Sequence, residues 1–290
     1  MTDGYFPPGS VLRHVQEHRA VGQTYGQRAL IIGATHPVPY VGTSASTNAK
    51  ERPFMRLSAT AEAFESIFFG DREEADRVLA MVHQMHTRVK GSLDRDEGNF
   101  PAGTAYDAFD PELMLWTMAM LADSSRVAFE TLVRPLEADE KEQLWADWVR
   151  FGELFGMPRS VAPATASELE EWMRAQVAGP DFHVTEEARV VGRAIALDMP
   201  VPLQLRIGIS GTNLVVRGML PPRVRRAFGL AWSPAHAAAY AAITAGVRAS
   251  QRVVPDQVRI GRNTGLFQLV SATERRIISR GGRTMELPAA

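Results

Sequence analysis

The sequence predicts an all-α protein folded as a single helical domain. Three observations carry this. Apolar residues recur at helical spacing along most of the chain, the periodic runs open at Asp or Ser caps and close at glycine, and strand patterns are few. At 290 residues, with 45% apolar and 22% charged side chains, the chain is long enough for a sizeable core.

The elements follow in order. Residues up to about Arg52 read as loop-rich, with Pro7, Pro8, Pro37 and Pro39, around a short buried segment from Ala29 to Gly33. A helix is predicted from about Phe54 to Phe69, stopped by Gly70. Asp71, with Glu73 and Glu74 behind it, caps the next helix, which should run to Val89 and end at Gly91. A long polar loop follows. Asp110-Pro111-Glu112 is a cap, an N1 proline and an acid, and opens a helix so apolar in its first half that it should be central. Further helices are expected at about Ala138–Phe155, Ser167–Val177 and Thr185–Leu197, with capping-box spacing between Ser167 and Glu170. The segment from Met199 to Leu230 is broken by prolines and glycines and reads equally as short helices or extended chain. Ser233-Pro234 starts a helix reaching about Arg252, and Leu266–Ile277 is helical. The periodic core spans residues 54–252, and 253–290 is a C-terminal extension.

Composition narrows the function. With no cysteine there is no disulfide, thiolate metal site, iron–sulfur cluster or cysteine nucleophile, and a haem, if present, would take histidine as its natural axial ligand. No signal-peptide pattern and no membrane-length apolar run is found, so a cytoplasmic location and no membrane partner are expected. Charge is lopsided: residues 1–188 carry 17 basic and 29 acidic side chains, and 189–290 carry 15 arginines, no lysine and 4 acids. The arginines are scattered among apolar residues, which argues against nucleic acid and for two halves packed by complementary charge. An anionic cofactor held by arginine forks is a further reading.

The helix opened by Asp71 is the informative one. Advancing about 100° per residue from Ala75 places Val78, Leu79, Val82 and Val89 in one stripe, with His86 about 20° from its centre and His83 on its flank. A histidine in a buried stripe is either a core imidazole bonded to a backbone carbonyl or a metal or haem ligand. His83 and His86 could share a metal, but no third ligand stands at matching spacing. On the preceding helix Arg56 and Thr60 share a face beside the stripe of Leu57, Phe64, Ile67 and Phe68, as a solvated edge or as a polar pair facing a pocket.

Several motifs stand in order along the chain. They are Ala34-Thr35-His36-Pro37, then Arg56-Leu57-x-x-Thr60, then Phe69-Gly70-Asp71 leading to Met85-His86-x-x-Val89-x-Gly91. Tyr106-x-x-x-Asp110-Pro111-Glu112-Leu113-x-Leu115-Trp116, Asp123-Ser124, Gly156-Met157-Pro158 and Leu220-Pro221-Pro222-x-Val224-Arg225 follow. From roughly Ala29 to Leu230 this order resembles the MpaB-type oxygenase family, which includes the catalytic domain of rubber oxygenase (latex clearing protein). The resemblance implies globin-like helix packing around a b-type haem. It assigns His86 as the axial iron ligand, His83 and Lys90 to the places of two flanking arginines, and Arg56 and Thr60 to the distal element. Arg56 would pair with a propionate or bound dioxygen, Thr60 would donate a distal hydrogen bond, and Lys90 would add charge near the cofactor. Two departures stand out: Ala59 replaces the distal lysine, which removes that sixth ligand, and Met118 replaces a histidine found in many bacterial relatives.

The function so implied is a haem b-dependent oxygenase using dioxygen on an apolar or secondary-metabolite substrate, with oxidative cleavage of a carbon–carbon double bond as one form. The alternatives are a non-catalytic haem-binding protein (a gas sensor or haem carrier) and a helical interaction module with a degenerate pocket.

Overall fold

The computed structural model describes residues 4–45 and 52–285. It is all-α as expected, apart from one short hairpin. The N-terminal residues are more helical than their prolines suggest. They form α1 (Val11–Glu17), α2 (Arg19–Gly22), α3 (Tyr25–Gly33) and α4 (Pro37–Ala45). Pro37 and Pro39 fall in the first turn of α4, where backbone N–H groups have no intrahelical acceptor and proline costs nothing. Phe6, Leu12, Val15 and Val21 are buried, so this segment is part of the core.

Two helices carry the candidate site: α5 (Pro53–Phe69) and α6 (Arg72–His86). Asp71 caps α6 by accepting from the Glu74 N–H at 2.8 Å. The helix stops at His86, short of the predicted Val89. Gly91 is no helix terminator. It lies in β1 (Lys90–Ser92), paired antiparallel with β2 (Ala105–Asp107) inside the segment expected to be loop.

The centre is α7 (Pro111–Leu132), opened by Asp110, which accepts from the Glu112 and Leu113 N–H groups. It packs against α2 and α3, and also against α8 (Ala138–Leu154), α9 (Ala166–Ala178) and α13 (Pro234–Ser250). Such crowding is possible because Ala119, Ala122, Ser124, Ser125 and Ala128 keep it thin. An aromatic cluster of Phe6, Phe64, Phe68, Trp148 and Phe151 ties α5 and α8 to the N-terminal chain with centroids 5.1–6.4 Å apart. The cap of α9 is Thr165, accepting from the Glu168 N–H, and not Ser167 with Glu170, because the helix begins at Ala166, two residues before a Ser167 cap would start it.

A π-helical turn, Ala188–Gly192, runs into α10 (Arg193–Leu197). The proline-broken segment resolves into α11 (Arg206–Met219) and α12 (Pro222–Ala227). After α13 come α14 (Asp256–Arg259) and α15 (Thr264–Ser279), which lies along α5. Glu274 of α15 is fully buried. Its carboxylate accepts from the backbone N–H groups of Phe54 and Met55 and from Thr284 Oγ1, so a residue some 220 positions away caps the start of α5.

The lopsided charge has a definite use. Arg225 donates to the carbonyls of Arg217, Gly218 and Leu220 at the end of α11. Arg223 serves Val177 and Gly179 at the end of α9, and Arg248 serves Glu130 and Thr131 at the end of α7. Three arginines of the basic half therefore cap helix C-termini, where the last carbonyls lack partners and the dipole favours a cation.

Candidate functional site

His86 ends α6, and the stripe it belongs to has the predicted direction but not the predicted depth. Only Ala75 of that helix is buried. Val78, Leu79, Val82 and His86 are half-buried, because α6 packs chiefly on α5 at the edge of the fold. Thr87 closes the helix, its hydroxyl donating to the Gln84 carbonyl. The imidazole of His86 lies between two rings, with centroids 6.1 Å from Phe109 and 6.4 Å from Phe155. Its Nδ1 is buried and has no hydrogen-bond partner. The backbone carbonyl that a core histidine would use is therefore missing on that nitrogen. Burial, with the nearby His83 and Arg56 charges, lowers its pKa and keeps the ring neutral.

Arg56 faces the same region from α5. It is half-buried, donates to the Thr43 carbonyl at 3.2 Å, and has its pKa lowered by burial. The two helices pack on each other, and the Arg56 charge is the smallest of the three causes that lower the His86 pKa. Thr60 stands one turn further along α5 and is exposed. Ala59 lines a cleft of about 510 Å³ between α5 and α15, with Met55, Ser58 and Ala272. Neither Arg56 nor Thr60 lines that cleft.

The other predicted positions lie elsewhere. Lys90 is exposed in β1, its backbone paired with Asp107, so it is not on the helix of His86. His83 is exposed and stacks on Phe109 at 4.8 Å. Among the described residues no group of three His, Cys, Asp or Glu side chains could hold a metal ion. Met118 is buried in the main core, where it packs near Gly152. The Ala34-Thr35-His36-Pro37 element forms the corner between α3 and α4. Thr35 accepts the His183 N–H on its carbonyl, and the His36 ring lies 5.1 Å from Phe100 and 5.6 Å from Trp116.

Sequence reading missed several buried polar groups. Glu97 takes Arg95 on one oxygen at 2.8 Å and meets His183 Nε2 with the other at 3.0 Å, tying the hairpin loop to the chain before the π-turn. Arg28 pairs with Asp123 at 2.8 Å and also bonds Ser124 and the Met219 carbonyl. Burial alone would raise the Asp123 carboxyl, but the charges of Arg28 and Arg126 overcome it and hold the pKa below its ordinary value. The Glu97–His183 and Arg28–Asp123 pairs join residues far apart in sequence and leave no local pattern to find. Asp123-Ser124 was visible only as part of a motif.

Residues 13–249 match the family described as the ER-bound oxygenase mpaB/B'/Rubber oxygenase catalytic domain. The chain belongs to this family. Two relatives, uncharacterized proteins of Mycobacterium bovis and Mycobacterium tuberculosis, are each 23% identical over 215 residues, covering 74% of this chain and 81% of theirs. No solved structure matches. As a member of the MpaB/rubber oxygenase family, the chain carries an oxygenase catalytic domain, and the α5–α6 pair lies wholly inside the matched span. Helices α14 and α15 lie beyond it, although α15 covers α5. Among the described residues no helix is long and apolar enough to cross a membrane.

Proposed function

We propose that this chain is a haem b-dependent oxygenase acting with dioxygen on an apolar or secondary-metabolite substrate, and that His86 is its axial ligand. The observation that carries the reading is the His86 imidazole: neutral, half-buried between Phe109 and Phe155, with a buried nitrogen bonded to nothing. A metal needs the neutral ring, and an imidazole already committed to a carbonyl on both sides could not serve. The residues present fit a haem in three further respects. The half-exposed stripe of Val78, Leu79 and Val82 offers apolar contact, and Arg56 offers a cation on the facing helix. The cysteine-free sequence leaves histidine as the natural ligand.

When bound, haem would supply the redox chemistry and the activation of dioxygen. The protein's own part follows from its side chains. Arg56, which also donates to the Thr43 carbonyl, would pair with a propionate or with dioxygen. Thr60 is a hydroxyl donor at the open edge, reachable by an incoming substrate. Ala59 puts only a methyl group beside it, so α5 offers no amine ligand there, and the Phe109 and Phe155 rings flank the imidazole. Lys90, exposed and on a strand, would contribute at most a long-range charge. Oxidative cleavage of a carbon–carbon double bond is the form of the reaction we favour.

The test is a visible spectrum of the purified protein supplemented with haem. A Soret band that His86→Ala loses while remaining folded, together with dioxygen uptake on an unsaturated apolar substrate, is the expected result. No Soret band in the parent, or equal haem binding by His86→Ala, would overturn the assignment. Haem binding without dioxygen uptake would instead favour a carrier or sensor.

A further inference from the structure

A second cleft, about 340 Å³ in volume, opens between α3, α7, α9 and the start of α12, and shares no residue with the α5–α6 site. Its floor is apolar, made by Ile32, Val127, Met173 and Pro222. Four guanidinium groups line it, from Arg28, Arg126, Arg174 and Arg223, against only two carboxylates, Asp123 and Glu170.

The charges do not cancel locally. Asp123 is consumed by Arg28 and Arg126, each at 2.8 Å. Glu170 is held more loosely, 3.6 Å from Arg126 Nε and 3.9 Å from Lys141 Nζ. The Arg126 Nε is buried and makes no hydrogen bond. Arg223 spends one nitrogen on the Val177 and Gly179 carbonyls and stacks over Phe182 at 4.3 Å, with no carboxylate against it. Arg174 is exposed and makes no hydrogen bond or ion pair among the described residues. The Arg174 and Arg223 charges therefore remain without a carboxylate over an apolar floor.

We propose that this cleft binds a small organic carboxylate with an apolar body. The head group meets Arg174 and Arg223, and the hydrocarbon lies against Ile32, Val127 and Met173. A carboxylate suits the site better than a phosphate ester. Its planar, singly charged head matches an arginine fork, whereas a dianion would be pushed away by Glu170. The volume lies at the small end of ligand sites and suits a short chain.

Isothermal titration with octanoate, octanol and octyl phosphate tests this. The expected result is saturable one-site binding of octanoate, with octanol at least about tenfold weaker. Arg174→Gln should weaken octanoate about tenfold and leave octanol binding and the melting temperature unchanged, because the side chain is exposed and unpaired. Octanol binding as tightly as octanoate, an unaltered affinity in Arg174→Gln, or no saturable octanoate binding would each overturn the proposal. Tighter octyl phosphate binding would overturn the choice of head group. His86→Ala should bind octanoate like the parent, so this result is independent of whether His86 holds haem.

Discussion

His18 gives the protein an acid-sensitive core. It sits between α1 and α2, only 3% exposed, with its ring 5.2 Å from His14 and 5.3 Å from Phe129. Its Nδ1 has no partner. Burial, then the charges of His14 and Arg259, push its pKa down to about 4. In the unfolded chain it returns to about 6.5. Above that value the ring is neutral in both states and costs nothing. As pH falls, the unfolded chain takes up the proton first, so stability is lost progressively between about 6.5 and about 4 and the loss levels off below. The linkage integral gives a loss of about 2 kcal/mol at about pH 5 and about 3 kcal/mol at the acid limit. Urea denaturation across this range, on the parent and on His18→Leu, measures it. The variant's packing changes its baseline, but its profile should be flatter by about 2 kcal/mol at about pH 5. Other acid-sensitive groups, His36 and His86 among them, act in both proteins and cancel. Parallel profiles would refute the argument.

Three further outcomes are expected. Asp123→Asn leaves Arg28 buried without a full counter-charge and should cost about 3–5 kcal/mol in chemical denaturation, most of which a paired Arg28→Met, Asp123→Leu replacement restores. Glu274→Ala orphans the Phe54 and Met55 N–H groups and should cost about 1–2 kcal/mol, with faster hydrogen exchange at the start of α5, while Glu274→Gln keeps an acceptor and costs less. Haem at about 100 times its dissociation constant should stabilise the parent by about 2.7 kcal/mol in a thermal melt and leave His86→Ala unmoved.

The legible parts of the fold were those written in local chemistry. The caps at Asp71 and Asp110, the stop at Gly70 and the crowded α7 all follow from neighbouring residues, and each stands where it was expected. What escaped depends on distant partners. Pro37 and Pro39 look like loop markers until the first turn of a helix is laid through them. The α6 helix ends at His86 because Lys90–Ser92 pairs with Ala105–Asp107, and three-residue strands leave almost no periodic signal. The cap on α5 comes from Glu274, which no local window contains. At the site, helical spacing put His86 in the apolar stripe but said nothing of how deeply α6 would sink, since that depends on which helices cover it.

An orphaned, depressed imidazole is not by itself a ligand, and this chain supplies its own controls. His18, His36 and His86 all have an unpartnered buried Nδ1, and burial lowers the pKa of each. His18 is enclosed by core, on a backbone bridge to Ile260. His36 is held between the Phe100 and Trp116 rings at a chain corner. Both are places where packing fixes the ring and the missing hydrogen bond is simply a cost. His86 differs in its surroundings. It ends a helix whose apolar stripe remains half-exposed while α7 buries its own almost completely, and it shares its electrostatic neighbourhood with an arginine from the facing helix. On the proposed reading, the half-covered apolar stripe, the neutral imidazole and the Arg56 cation would together receive a flat, apolar, anionic haem. That conjunction, and not the histidine alone, is why His86→Ala and His18→Leu should part company in a haem titration: the first loses the response and the second keeps it.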